Sequence, residues 1–165
     1  MKTFIKKLYY KDIAHCINEK QSMVENINTI TLIEHSFIPK IYAVEETQYE
    51  MEYINGKTVS QLFWSLETEK RKELIFKFIS QLSNLINIMF KLKNKSFPSY
   101  LFIGKDMKTL NNYMIDNDGR IMCIDFDSWR WFTENEAILH ARNAVSFPIE
   151  KLLKSNKNIQ SNRGK

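Results

Sequence analysis

Residues 104–127 read GKDMKTLNNYMIDNDGRIMCIDFD. Two short apolar runs, 112–115 (NYMI) and 121–124 (IMCI), flank the polar DNDGR, and Asn117-Asp118-Gly119 is a turn signature. The stretch therefore predicts a β-hairpin. Polar groups bracket it: Asp106 and Asn111 stand five residues apart in the loop before it, and Asp125 follows Ile124 directly. A short hairpin brings its two ends together, so Asn111 and Asp125 are expected side by side. A carboxylate and a carboxamide converging at one point are hard oxygen ligands, suited to Mg²⁺ carrying phosphate groups. Asp106 is placed to accept a proton from an attacking hydroxyl. Lys108, two residues on, is placed to neutralise charge on a transferring phosphoryl group.

Working outward, residues 2–9 (KTFIKKLY) read as a strand, and Asp12 as the N-cap of a helix carrying Ile13, Ile17, Met23, Val24 and Ile27 that ends before Asn28-Thr29. Strands are expected over 40–44 and 48–53, the second stopping at the turn Ile54-Asn55-Gly56. A short amphipathic helix over 58–64 precedes the longest one, over about 68–93. Leu74, Ile75, Phe78, Ile79, Leu82, Leu85, Ile86 and Met89 form its core stripe. Ser65 or Thr68 is expected to cap it, with Glu67 and Glu69 at its positive end and Lys91, Lys93 and Lys95 at the other. Residues 96–100 read as a loop with Pro98, and 133–153 as a helix. Trp129, Trp131 and Phe132 read as core aromatics rather than a nucleic-acid stacking platform.

GKDMKTLNNYMID resembles the catalytic loop of protein kinases, HRDLKPEN followed by an apolar strand, in its Asp, the Lys two residues later and the Asn five residues later. RIMCIDFDSW is similar to the strand and Mg²⁺-binding DFG that follow in that family. TFIKKL resembles the VAIK strand, with Lys6 as the phosphate-pairing lysine and Lys7 its competitor; alternation lets one of them face a cleft. INEKQSM resembles the helix bearing that lysine's partner, here Glu19, with Glu25 on a similar face. QYEMEYINGKTV is similar to the hinge between lobes, with Met51, Glu52 and Tyr53 where adenine meets backbone. The motifs keep the family's order over residues 3–127.

The departures are Gly104 for the loop His, Lys105 for its Arg, Asp127 for the glycine of DFG, no glycine before Gly56, and no Ala-Pro-Glu motif after Asp127. The resemblance implies an α+β, protein-kinase-like fold with an incomplete sheet lobe over 1–54 and a reduced helical lobe over 55–150, and the charge distribution adds a basic flexible tail over 151–165. It implies an ATP-dependent phosphotransferase acting on a Ser/Thr or small-molecule hydroxyl. Asp106 and Lys108 would be catalytic, Asn111 and Asp125 would hold Mg²⁺, and Lys6, Glu19 and the hinge would bind ATP. The alternative is a pseudokinase acting as a binding module. A third version joins the two: a partner protein or an upstream segment supplies the missing glycine-rich hairpin along the exposed sheet edge.

The chain has 165 residues, 24 Lys+Arg and 19 Asp+Glu, for a net charge of +5. Lys151, Lys154, Lys157, Arg163 and Lys165 follow residue 150 with no acidic residue, so the excess belongs to the C-terminal end. Cys16 and Cys123 stand alone, and His15, His35 and His140 lack ligand spacing, which argues against a disulfide framework or a zinc site. No signal-like or membrane-length apolar run is present, so a soluble, cytoplasmic protein is expected.

Overall fold

Strand alternation near the N-terminus produces a three-stranded antiparallel sheet. It is built from β1 (Thr3–Lys7), β2 (Ile41–Val44) and β3 (Gln48–Glu52) in the order β1-β3-β2. The computed structural model describes residues 2–7, 26–33, 36–45, 48–92, 99–126 and 128–162, with the backbone alone at 6, 7 and 156–162. On β3, Tyr49 and Met51 are buried while Gln48, Glu50 and Glu52 are half-buried, the period of two that a one-sided sheet imposes. Phe4 pairs with Met51 and Lys6 with Tyr49. The helix expected from Asp12 lies outside the described residues until 26. Residues 26–30 are helical, past the expected stop before Asn28, because Ile27 and Ile30 are both drawn into the core.

After residues 53–55 the chain forms β4 (Gly56–Thr58), a strand too short to show in the sequence. It pairs with β6 (Tyr113–Asp116), which pairs with β7 (Ile121–Cys123), in the order β4-β6-β7. The β6–β7 hairpin is the expected one, and Gly119 supplies the positive φ its turn requires, 77°. The Asp116 carboxylate braces the turn, with Oδ1 accepting from the Asp118 and Arg120 N–H groups at 3.0 and 2.8 Å. From α2, described next, Lys77 donates through Nζ to the Gly119 carbonyl at 2.7 Å.

Helix α1 (Val59–Ser65) begins at a capping box, with Gln61 N–H on Thr58 Oγ1 and Thr58 N–H on Gln61 Oε1. Helix α2 (Thr68–Lys91) buries Leu74, Ile75, Phe78, Leu82, Leu85, Ile86 and Met89, while Ile79 is half-buried. Its N-cap is Glu67, not Ser65 or Thr68, and no side chain caps it. Arg71 closes that junction instead, donating through Nε to the Leu66 carbonyl at 2.8 Å.

A pairing the sequence reading missed lies beyond α2. Tyr100, assigned to a loop, starts β5 (Tyr100–Gly104), and the aromatic run forms β8 (Trp129–Thr133), antiparallel to it. Helix α3 (Glu134–Asn162) continues through residues where a flexible tail was expected, and contains Pro148. Small and apolar positions Ala137, Ala144 and Leu152 are buried, and α3 packs on α2, β5 and β8. The class is α+β, with one core reaching from Ile27 to Leu152. Among the described residues no helix is long and apolar enough to cross a membrane.

Candidate functional site

The loop joining β5 to β6 carries Asp106, Lys108 and Asn111, all exposed. It is fastened mainly by backbone atoms. At its start, Lys105 N–H donates to the Ser128 carbonyl at 3.3 Å and Asp106 N–H to Ser128 Oγ at 3.1 Å. The Asp106 carbonyl accepts from Thr109 N–H at 3.0 Å and from Asn112 Nδ2 at 3.4 Å. Met107 and Leu110 are buried beneath, so hydrophobic anchors turn the polar residues outward. Tyr113 donates its hydroxyl to the Met107 carbonyl at 2.9 Å. Burial, with Cys123 beside it, holds the Tyr113 hydroxyl well above its ordinary pKa, so the donor stays protonated.

The far end of the hairpin is positioned by register. Tyr113 opposes Cys123, and Ile124 N–H donates to the Asn112 carbonyl at 2.8 Å. Asn111 belongs to a single 3₁₀ turn (Leu110–Asn112) just before β6, and Asp125 lies two residues past the end of β7. Asp125 is half-buried, and its carbonyl lies 3.6 Å from the Cys123 thiol donor. Burial pushes that thiol up to about 12, which keeps its proton in place.

Gly104 has a steric reason to be glycine. A Cβ there would collide with the Trp129 indole and with Met107 Cγ. The indole occupies the space beneath the loop, against Phe126 at 5.2 Å between centroids. Phe126, next to Asp125, also meets Tyr49 of β3 at 6.0 Å. Because Tyr49 opposes Lys6, this aromatic contact links the backbone position of Lys6 to that of Asp125. The Lys6 side chain and the whole of Glu19, Glu25 and Asp127 lie outside the described residues.

The hinge residues differ among themselves. Met51 is buried, Glu52 half-buried and Tyr53 exposed. Glu52 N–H donates to the Lys40 carbonyl at 2.8 Å and Tyr53 N–H to the Lys2 carbonyl at 3.4 Å. Both donors are therefore committed to neighbouring chain.

Ser128, Asn112 and Tyr113 support the loop and were not singled out from sequence, while Trp129, expected as a core aromatic, is buried beneath it. Asn112 carried a signal, a second carboxamide next to Asn111; the others act through partners that only the fold reveals. His140 of α3 was also missed as a neighbour of the site. Its ring packs on Phe132 at 4.6 Å. Burial and then the Lys105 charge lower its pKa against smaller opposing effects of Glu136 and Asp106, with Lys108 adding the least. No family model matches the chain, and no curated protein matches it.

Proposed function

We propose that the chain is an ATP-dependent phosphotransferase of protein-kinase-like fold, acting on an alcohol. The observation that carries this reading is a fastened loop with Asp106, Lys108 and Asn111 at the entry to the β6–β7 hairpin whose exit carries Asp125, with the β1–β3 sheet reached through Tyr49 and Phe126. Asn111 and Asp125 offer the oxygen donors that Mg²⁺ prefers, and the ion would neutralise phosphate charge when bound. Asp106, exposed and held by its backbone, takes the proton from the acceptor hydroxyl. The hydroxyl oxygen bonds to the γ-phosphorus as the bond to the β–γ bridging oxygen breaks, and ADP leaves with that electron pair. Lys108 balances negative charge on the transferring group.

Thermal denaturation with ATP, with and without Mg²⁺, tests the reading, because a ligand bound only by the folded state raises Tm. A Mg²⁺-dependent rise is expected, and Asp125→Ala should lose it while its unliganded Tm stays near that of the parent. An unchanged rise in Asp125→Ala overturns the metal assignment. No rise at millimolar ATP favours a binding module.

A further inference from the structure

Helix α3 has two apolar faces, and the fold covers one of them. Ala137, Ala144 and Leu152 are buried where α3 packs on α2, β5 and β8. On the outward side Ile138, Arg142, Val145 and Ile149 follow one another at steps of four, three and four residues, the spacing that keeps helical side chains on one stripe. Leu153 extends the stripe by a turn, and Leu139 flanks its start. Ile138, Leu139, Ile149 and Leu153 are all exposed, from 39% at Ile149 to 57% at Leu153, and Val145 is half-buried. A single exposed apolar residue, such as Phe76 of α2, needs no partner. A stripe of them along about four turns marks an interaction surface.

The charges on this face select its occupant. Arg142 lies within the stripe and Glu150 at its edge, next to Ile149; both are exposed, and neither has an ion-pair partner among the described residues. An anionic membrane would meet the Glu150 carboxylate as like charge. A second copy laid parallel would bring Arg142 against its own counterpart. Laid antiparallel, about a two-fold axis between Val145 and Ser146, it sets Ile138 against the partner's Leu153, and Arg142 against the partner's Ile149 and beside the partner's Glu150. Symmetry repeats every contact, so opposite charges meet twice. Val145 and Ser146, at the axis, are small enough to let two helices approach to about 8–10 Å between axes. Residues 138–153 make a seam about 22 Å long and one helix wide. That falls short of the ~800 Å² a side of a standard interface, so the association is reversible and in the micromolar range.

We propose that the chain self-associates through α3 as an antiparallel dimer, with Ile138, Val145, Ile149 and Leu153 in the seam and Arg142 paired to the partner's Glu150. The proposal is independent of the phosphotransferase reading.

Sedimentation equilibrium of the full chain, from low to high micromolar concentration, is expected to show monomer and dimer exchanging. Arg142→Glu and Glu150→Arg should each weaken the dimer by about tenfold or more, because symmetry places two like-charge contacts in either variant. Mixed in equal amounts, the two variants should dimerise with each other about as well as the parent, since each supplies the charge the other now lacks. Both positions are exposed, so circular dichroism of each variant should match the parent. A chain that stays monomeric throughout, a dimer indifferent to both reversals, or a mixture no tighter than its separate variants overturns the proposal. A monomer that cosediments with phosphatidylserine vesicles overturns it too, and gives the face to a membrane surface.

Discussion

Two antiparallel pairings, β1 with β3 and β5 with β8, each run for five register positions, yet they are packed very differently. In β1, Phe4 is 44% exposed and Ile5 53%. In the β5–β8 pair, Phe102 and Ile103 are fully buried and Trp129 is 2% exposed. Equal ladders carry similar backbone bonding, whose net contribution per bond is small because water replaces it on unfolding. The difference lies in apolar area removed from water and in the ring contacts of Trp129 and Trp131 with Phe102, at 6.2 and 5.1 Å. The candidate catalytic loop hangs from the tightly packed pair, whereas the expected phosphate-gripping lysine sits on the exposed one.

That contrast is broken or sharpened most strongly at Trp129. Trp129→Ala removes the indole under Gly104 and should cost about 3–5 kcal/mol, read as a lower urea midpoint. A loss near 1 kcal/mol would mean that the wall under the loop is not a single packed unit. Next comes Tyr113→Phe, which deletes the donor to the Met107 carbonyl and leaves that buried acceptor unpaired. A loss of about 1–2 kcal/mol is expected in the same assay.

The third effect depends on pH. Burial alone would raise the Asp116 carboxyl, but hydrogen bonds and charge from Arg120, with the Asp118 N–H, outweigh it and hold the pKa below the ordinary value. The folded state therefore gains from an ionised Asp116 above the usual carboxylate range, and loses that gain as pH falls through the lowered pKa. Asp116→Asn should flatten this acid limb by about 1 kcal/mol or less, measured as Tm against pH. The smallest effect belongs to the exposed strand: Ile5→Thr should stay within about 0.5 kcal/mol, and a larger loss would show that something covers β1 in solution.

The sequence was legible where local chemistry and structure coincide. Asn117-Asp118-Gly119 announces its turn because positive φ at Gly119 is a local requirement, and the α2 stripe announces itself through its period. β8 did not, because WRWFT carries bulky aromatics on both faces and its partners in β5 lie 25–33 residues upstream, so no alternation marks it. Asp106, Asn111 and Asp125 were singled out by their spacing around the hairpin, and Asp106 and Asn111 do lie exposed on one loop. Ser128 was not, because its role exists only once Trp129 has been paired with Gly104. The contact of His140 with Phe132 was invisible for the same reason, since it joins α3 to β8 only in the fold.

The loop's anchorage has a consequence for how such a chain can drift over generations. Lys105 N–H to the Ser128 carbonyl, Thr109 N–H to that of Asp106, Asn112 N–H to that of Thr109, Ile124 N–H to that of Asn112 and Cys123 N–H to that of Phe37 all join main chain to main chain. Every residue except proline supplies both groups, so substitutions at these positions leave the bonds available. Descendants can therefore exchange most letters of the loop while the framework that aims Asp106 persists. Alphabet-based kinship would fade long before the geometry did.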